Sequence, residues 1–413
     1  MADTLHGIKR TDAVYRNMQN PYMLKSYYRF QTLRRLSTSD VYGSSPPDLF
    51  VGRRGYPYVY VGPLVPPSAG DTSIMSVPER WVGMSIPQIV EMRSMLVRGM
   101  YRTRVTNADN GRIEEMLKEL AIADNYGGVE EMLSHRPKMS VSLDENSQPY
   151  GPSARMTDMR IDNLRANRDI EKAYHDTALT AKDAIIELYD KGTLVSKIQK
   201  TLSAGILGVS RNRRFVPTRW SITAVDDTLG KYKLKEVKQN EPIDSVKVFY
   251  NTALDNRWAV IMLPGSWEYE LVEAWYPNTT WNQGDGDIAI YSSYEAFEGR
   301  SRYAEIGGCY YAARLAASEL LDRIKGQAKV VILREAHPGY IMPVGVWNVR
   351  EHVRETLRTQ PLHFGTLRDA LGFVSAKMAI PVSQWIKNST LLRKALFQKP
   401  LFHGAMARQP AVT

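Results

Sequence analysis

The chain has 413 residues, 43% hydrophobic and 24% charged, with 54 Lys+Arg against 44 Asp+Glu for a net charge of +10. That composition is ordinary for a soluble globular protein of roughly two or three domains, or one large mixed one. The single cysteine, Cys309, rules out an internal disulfide and a cysteine-built zinc site.

The sequence pI of about 9.4 favours polyanionic partners, nucleic acid above all, because cationic side chains release counterions from a phosphate backbone. The opening "MADTLHGIKRTDAVYRN" has no apolar core of signal-peptide length. No run approaches the roughly 20 apolar residues of a membrane helix. A cytoplasmic protein with no membrane partner is expected.

In chain order, residues 1–45 are polar, basic and tyrosine-rich and read as irregular structure with short helices. Two Pro/Gly clusters then bracket the alternating run Tyr56 to Val61, a strand with one buried face. "SIPQIVEMRSMLVR", from Ser85 to Arg98, reads as a helix with Ser85 as N-cap and Pro87 in its first turn. Residues 107–158 are polar and read as a loop-rich surface region. From about Asp158 to Ala204 the pattern is helical, broken near Gly192.

After residue 215 the β-branched and aromatic runs "WSITAV", "SVKVFYNTAL", "RWAVIMLPG", "WEYELVEAWYP" and "GDIAIYSSYEAF" read as strands. A long helix is expected from Tyr303 to Lys325, then a buried strand "AKVVILREA". Two helical stretches follow, "WNVREHVRETL" and "PVSQWIKNSTLLRKAL". The expected class is α+β, a central mixed sheet covered by helices.

The densest basic stretch is "SRNRRFVPTRW". Arg211, Arg213 and Arg214 can hold phosphates with guanidinium forks, and Phe215 and Trp220 are close enough in sequence to stack on a base. The competing reading is a solvated basic turn with Arg219 tied to Asp226 or Asp227. Those two aspartates follow the expected strand "SITAV", a usual place for Mg²⁺ or Mn²⁺ ligands. With Asp285, Asp287 and Glu298 they could form a metal site, although Asp beside Gly is equally a turn signal.

Gly307 and Gly308 open a helix and offer backbone amides to a phosphate, with Arg300 nearby. Close packing of the small residues after them explains the same letters. Arg334, Glu335 and His337 at a strand end could do acid–base chemistry, or form a structural ion pair.

Five blocks carry a family resemblance: "LFVGRRGYPYVYVGPLVPP", "RFVPTRWSITAVDD", "GSWEYELVEAW", "SSYEAFEGRSRYAEIGGCYYAARLAASE" and "REAHPGYIMPVGVWNVRE". They lie in order, and the chain resembles the archaeal Nre family over most of its length after residue 45. The resemblance implies a part in DNA damage repair, with no catalytic activity attached to it. It divides the chain into an N-terminal-type region over 46–285 and a C-terminal-type region over 286–397, after the extension 1–45. Members can carry an N-terminal cysteine cluster, which this chain lacks, so no zinc is implied. Some members dock on the sliding clamp by a C-terminal motif. The tail 398–413 offers Gln398, Leu401 and Phe402, with Gly404 and Ala405 where aromatics usually stand.

Two functions follow as expectations. One is a DNA-binding repair protein that holds DNA through Arg211, Arg213 and Arg214, with Arg53 and Arg54 adding contacts, and docks on the clamp. The other is a metal-dependent nuclease, or another enzyme acting on damaged DNA or a nucleotide.

Overall fold

The structure is a computed structural model that describes residues 21–36, 39–138, 147–279, 281–282 and 286–397. It is α+β, as expected, but the sheet is not single. Among the described residues stand two six-stranded mixed sheets. The first contains β1 (Asp40–Ser45), β2 (Leu49–Val51), β3 (Tyr58–Val65), β4 (Val97–Arg104), β5 (Gly127–Leu133) and β6 (Ser153–Asp162). Its order is β1-β5-β6-β4-β3-β2, with β4 and β6 parallel and the other neighbours antiparallel.

The second sheet contains β7 (Val246–Ala253), β8 (Asn256–Leu263), β9 (Glu268–Trp275), β10 (Ala289–Glu295), β11 (Lys329–Ala336) and β12 (Leu362–Phe364). Its order is β10-β9-β11-β8-β7-β12, and only β9 and β11 run parallel. β11 is buried on both faces, as its unbroken apolar run "VVIL" requires.

Two sequence expectations are corrected. The polar segment 107–158 is not mainly loop: its described part holds the helix Arg112–Ile122, β5 and the start of β6. Polar residues there alternate with core residues, as in β5, where Gly127, Val129, Glu131 and Leu133 are buried. The stretch "WSITAV" is not a strand. It lies in the 20-residue helix Thr218–Val237. Ile222, Val225, Leu229, Leu234 and Val237 recur at helical spacing and are buried, so the wider period overrides the β-branched local run.

This helix packs against the helix Gly308–Arg323, and Gly230 faces Arg314 at the crossing. A core cluster takes Leu64, Trp81 and Ile89 from the first half and Trp275, Ala336, Tyr340 and Trp347 from the second, so the halves share buried apolar surface. Beside it Arg350, fully buried, donates to Asp226 and to Glu351.

Candidate nucleic-acid interface

The turn between β2 and β3, residues 52 to 57, projects Arg53, Arg54 and Tyr56 into solvent. Gly55 takes φ +83°, a left-handed conformation that glycine adopts without a Cβ clash, and its carbonyl accepts from Tyr58 N. Three backbone contacts then fix this turn to the arginine loop. Val105 N donates to Pro57 O and Phe215 N to Val105 O, each at 2.9 Å, and Val51 N donates to Thr218 Oγ1 at 2.9 Å. Trp220, on the first turn of the helix Thr218–Val237, therefore meets Tyr56 across some 160 residues of sequence, ring centroids 5.2 Å apart.

The outward face of β3 and β4 extends the surface. Tyr58 pairs with Arg104 and Tyr60 with Arg102 across the ladder, and Arg102 lies over the Tyr58 ring at 5.2 Å. Arg102 and Arg104 are exposed, while Val59, Val61 and Thr103 between them point inward. Arg53, Arg54, Arg102, Arg104, Arg211 and Arg214 are all exposed on the segments that carry or adjoin Tyr56, Tyr58 and Trp220, each of these rings nearly half exposed. Cations around exposed rings can track a phosphate backbone while bases stack. The strand arginines and tyrosines were missed in the sequence. Their signal was the strict alternation of "YPYVY" and "RTR".

The arginine loop itself divides. Arg211 and Arg214 are exposed and Arg219 is partly so. Arg213 is buried: its Nε donates to Gly208 O at 2.9 Å, its Nη2 donates to Tyr174 O at 2.6 Å, and its guanidinium covers the Tyr174 ring. It ties the loop to the helix Arg168–His175 and is unavailable to a phosphate. Phe215 is equally a core residue.

The acids do not gather. Asp226 is mid-helix, not at a strand end, and its Oδ1 accepts from Arg350 Nη1 at 3.0 Å and from Gln199 Nε2 at 3.1 Å. Burial pushes its carboxyl up to about 6 against the pull of Arg350. Asp227 pairs with Arg314 and Lys231. Asp287 and Glu298 are exposed, and Asp285 lies outside the described residues. Among the described residues no group of three or more His, Cys, Asp or Glu could hold a metal ion.

The remaining candidates separate by strand face. Arg334 and Glu335 are neighbours on β11, so they point to opposite sides of the sheet. Arg334 lines a cavity of about 280 Å³ with Glu273, Trp275, Cys309 and Tyr340. Glu335, fully buried, accepts from Ala379 N, Ile380 N and His337 Nε2. His337 also stacks on Tyr276 at 4.4 Å. Glu335 therefore holds the C-terminal helices, with His337 bonded to it, and neither joins Arg334. Arg300 is bound bidentately to Glu305 and to Tyr294 O. Gly307 and Gly308 do open the helix Gly308–Arg323, with small residues buried along it. Gln398, Leu401 and Phe402 lie outside the described residues.

Comparison with known proteins gives one consistent result. The family description "Archaeal Nre, N-terminal" matches residues 18–282, and "Archaeal Nre, C-terminal" matches residues 295–403. The DNA repair protein NreB of Archaeoglobus fulgidus is 42% identical over 356 residues, 86% of this chain and 90% of that protein. The DNA repair protein NreA of Haloferax volcanii is 36% identical over 85% of this chain and 86% of its own length. No solved structure matches. Two family matches in order and relatives aligned over most of both lengths lead to one conclusion: the chain belongs to the archaeal Nre family.

Proposed function

We propose that this protein acts in DNA repair by holding DNA on the face formed by the β2–β3 turn, the outer side of β3–β4 and the start of the helix Thr218–Val237. The names of its relatives, both DNA repair proteins, support the process. The observation that carries DNA contact is the meeting of Tyr56 with Trp220, which brings Arg53 and Arg54 to the exposed arginines of the 211–214 loop. Guanidinium groups flanking exposed rings suit single-stranded or forked DNA, where bases are free to stack.

Fluorescence anisotropy with single-stranded, duplex and forked DNA across a salt series tests the reading. Replacing Arg53 and Arg54 with alanine should weaken binding to all three and lower the salt slope by about 1 to 2. Replacing Trp220 with alanine should weaken single-stranded and forked DNA more than duplex. Affinity and slope unchanged from the unaltered protein in both variants would overturn it.

The tail trio Gln398, Leu401 and Phe402 supports docking on a sliding clamp as a second contact. Leu401→Ala with Phe402→Ala should abolish co-elution with the clamp. Undiminished co-elution would remove that contact.

A further inference from the structure

The cavity beside Arg334 lies apart from the DNA-contacting face, at the edge of the core cluster that contains Trp275 and Tyr340. Its walls are aromatic. Trp275 carries Trp281 edge-on at 6.5 Å and an interplanar angle of 86°, with Tyr340 tilted against it at 6.0 Å. Tyr291, on β10 and 54% exposed, stands at the rim. The helix start supplies Ile306 and Cys309. Gly307 takes φ +77°, so the chain turns into the helix without a side chain between them.

One buried group among the walls is incompletely satisfied. Arg334 is 2% exposed. Its Nε donates to Asn256 Oδ1 and its Nη1 donates to Glu273 Oε1, both at 2.8 Å. Its Nη2 is buried and meets no acceptor at hydrogen-bonding geometry among the described residues. The guanidinium lies 4.8 Å from the Trp275 ring and 5.1 Å from the Tyr340 ring, both of which line the cavity. The Tyr340 hydroxyl interacts with the guanidinium without completing its hydrogen bonds, and a ligand acceptor would complete them.

The charge pattern selects the ligand. Arg334 is neutralised by Glu273, and the other acid on the lining, Glu305, is held by Arg300 at 2.7 Å. A neutral pair leaves a free anion little to gain, and it offers a methylated cation no unpaired carboxylate beside the rings. What fits is a neutral planar ring that accepts from Nη2, donates to the adjoining Glu273 carboxylate and stacks on indole or phenol. Every nucleobase carries a donor beside an acceptor on its pairing edge. A cavity of about 280 Å³ is at the small end of ligand clefts, which span about 300–1,000 Å³, and suits one ring system.

We propose that this cavity receives a single unstacked nucleobase, held between Tyr291 and Trp275 and read by Arg334 and Glu273. In the intact protein the base is delivered from DNA, so its biological use rests on the DNA reading above, while its ligand class does not. Pockets of this composition recognise a base swung out of its stack.

The experiment uses the full chain and two readouts. Isothermal titration with the four deoxynucleosides measures binding. The reaction rate of Cys309, the only thiol, with a small disulfide reagent reports whether the bound base sits in the cavity. At least one nucleoside should bind and slow the thiol several-fold. Tyr291→Ala, truncating a half-exposed ring, should weaken that binding about tenfold while the thermal melt shows an intact fold. Arg334→Lys should reduce discrimination among the four bases. DNA with one unpaired base should protect the thiol more than fully paired duplex, with anisotropy recorded on the same samples.

Nucleoside binding without DNA binding would keep the pocket and overturn the DNA face. DNA binding with no effect of nucleosides or unpaired bases on heat or thiol would overturn the pocket and keep the face. Loss of both signals would overturn both.

Discussion

Four arginines between Arg211 and Arg219 look alike in sequence, yet the fold gives them different work. Arg213→Ala should remove the donors to Gly208, Tyr174 and Asp176 carbonyls and leave those acceptors in a closed site. A loss of about 2–3 kcal/mol is expected from urea unfolding, with DNA affinity of the folded fraction unchanged. Arg53→Ala, at an exposed turn, should show the converse, unchanged stability and weaker DNA binding. Residue chemistry was legible in the sequence, but burial was not. What separates Arg213 from Arg214 is the approach of the helix Arg168–His175, a contact some 40 residues away. A titrating residue makes a second test. His352 is 2% exposed, and burial lowers its ring to about 4, although its Nδ1 lies 2.8 Å from Asn348 O. The unfolded chain binds that proton near pH 6.5 and the folded chain resists it until about pH 4. Between those values the unfolded state holds more protons, so stability falls as pH falls. The loss should reach about 2–3 kcal/mol by pH 4 and be absent from His352→Gln, measured as urea midpoints at several pH values.

At the scale of elements, two buried carboxylates on the second sheet hold the C-terminal helices by their backbone amides. Glu270, on β9, accepts from Ser389 Oγ at 2.5 Å, Thr390 N at 2.9 Å and Leu391 N at 2.8 Å, the first turn of the helix Thr390–Phe397. Glu335, on β11, takes the amides of Ala379 and Ile380 before the helix Val382–Asn388. A carboxylate at a helix start satisfies donors that lack intrahelical partners and complements the dipole. Glu270→Gln should raise amide exchange over 389–397 by at least tenfold and leave β8 protected. Equal rates would show that apolar packing of Trp385, Leu391 and Leu392 suffices. These caps were unreadable in sequence because each joins residues more than 40 apart. By contrast, the start of the helix Ile86–Ser94 was legible, because Ser85 and Gln88 form a capping box within four residues, whereas its expected end at Arg98 falls in β4. The helix Thr218–Val237 was misread for the opposite reason: a six-residue window saw "WSITAV", and only the longer stripe from Ile222 to Val237 reveals the period.

At the scale of the whole molecule, the decisive feature is the position of β11. It lies between β8 and β9 in the second sheet, paired antiparallel to one and parallel to the other. The family matches divide the chain between residues 282 and 295, which leaves β7, β8 and β9 before the division, β11 and β12 after it, and β10 in the interval itself. A cut there removes the middle strand of the sheet and opens the ladder edges of β8 and β9. It also separates Asp226 from Arg350 and splits the apolar cluster that holds Trp81 against Trp347. Leaving either member of that buried ion pair alone costs about 3–5 kcal/mol, as much as many domains have in reserve. The intact chain should therefore unfold in one transition, by calorimetry and by near-ultraviolet dichroism alike. Residues 1–285 expressed alone should lack the cooperative melt, and co-expression with residues 286–413 should restore it through β11. Two independent melts in the intact chain, or a cooperative melt in the 1–285 fragment, would mean that the interdigitated sheet contributes less to folding than its strand order implies.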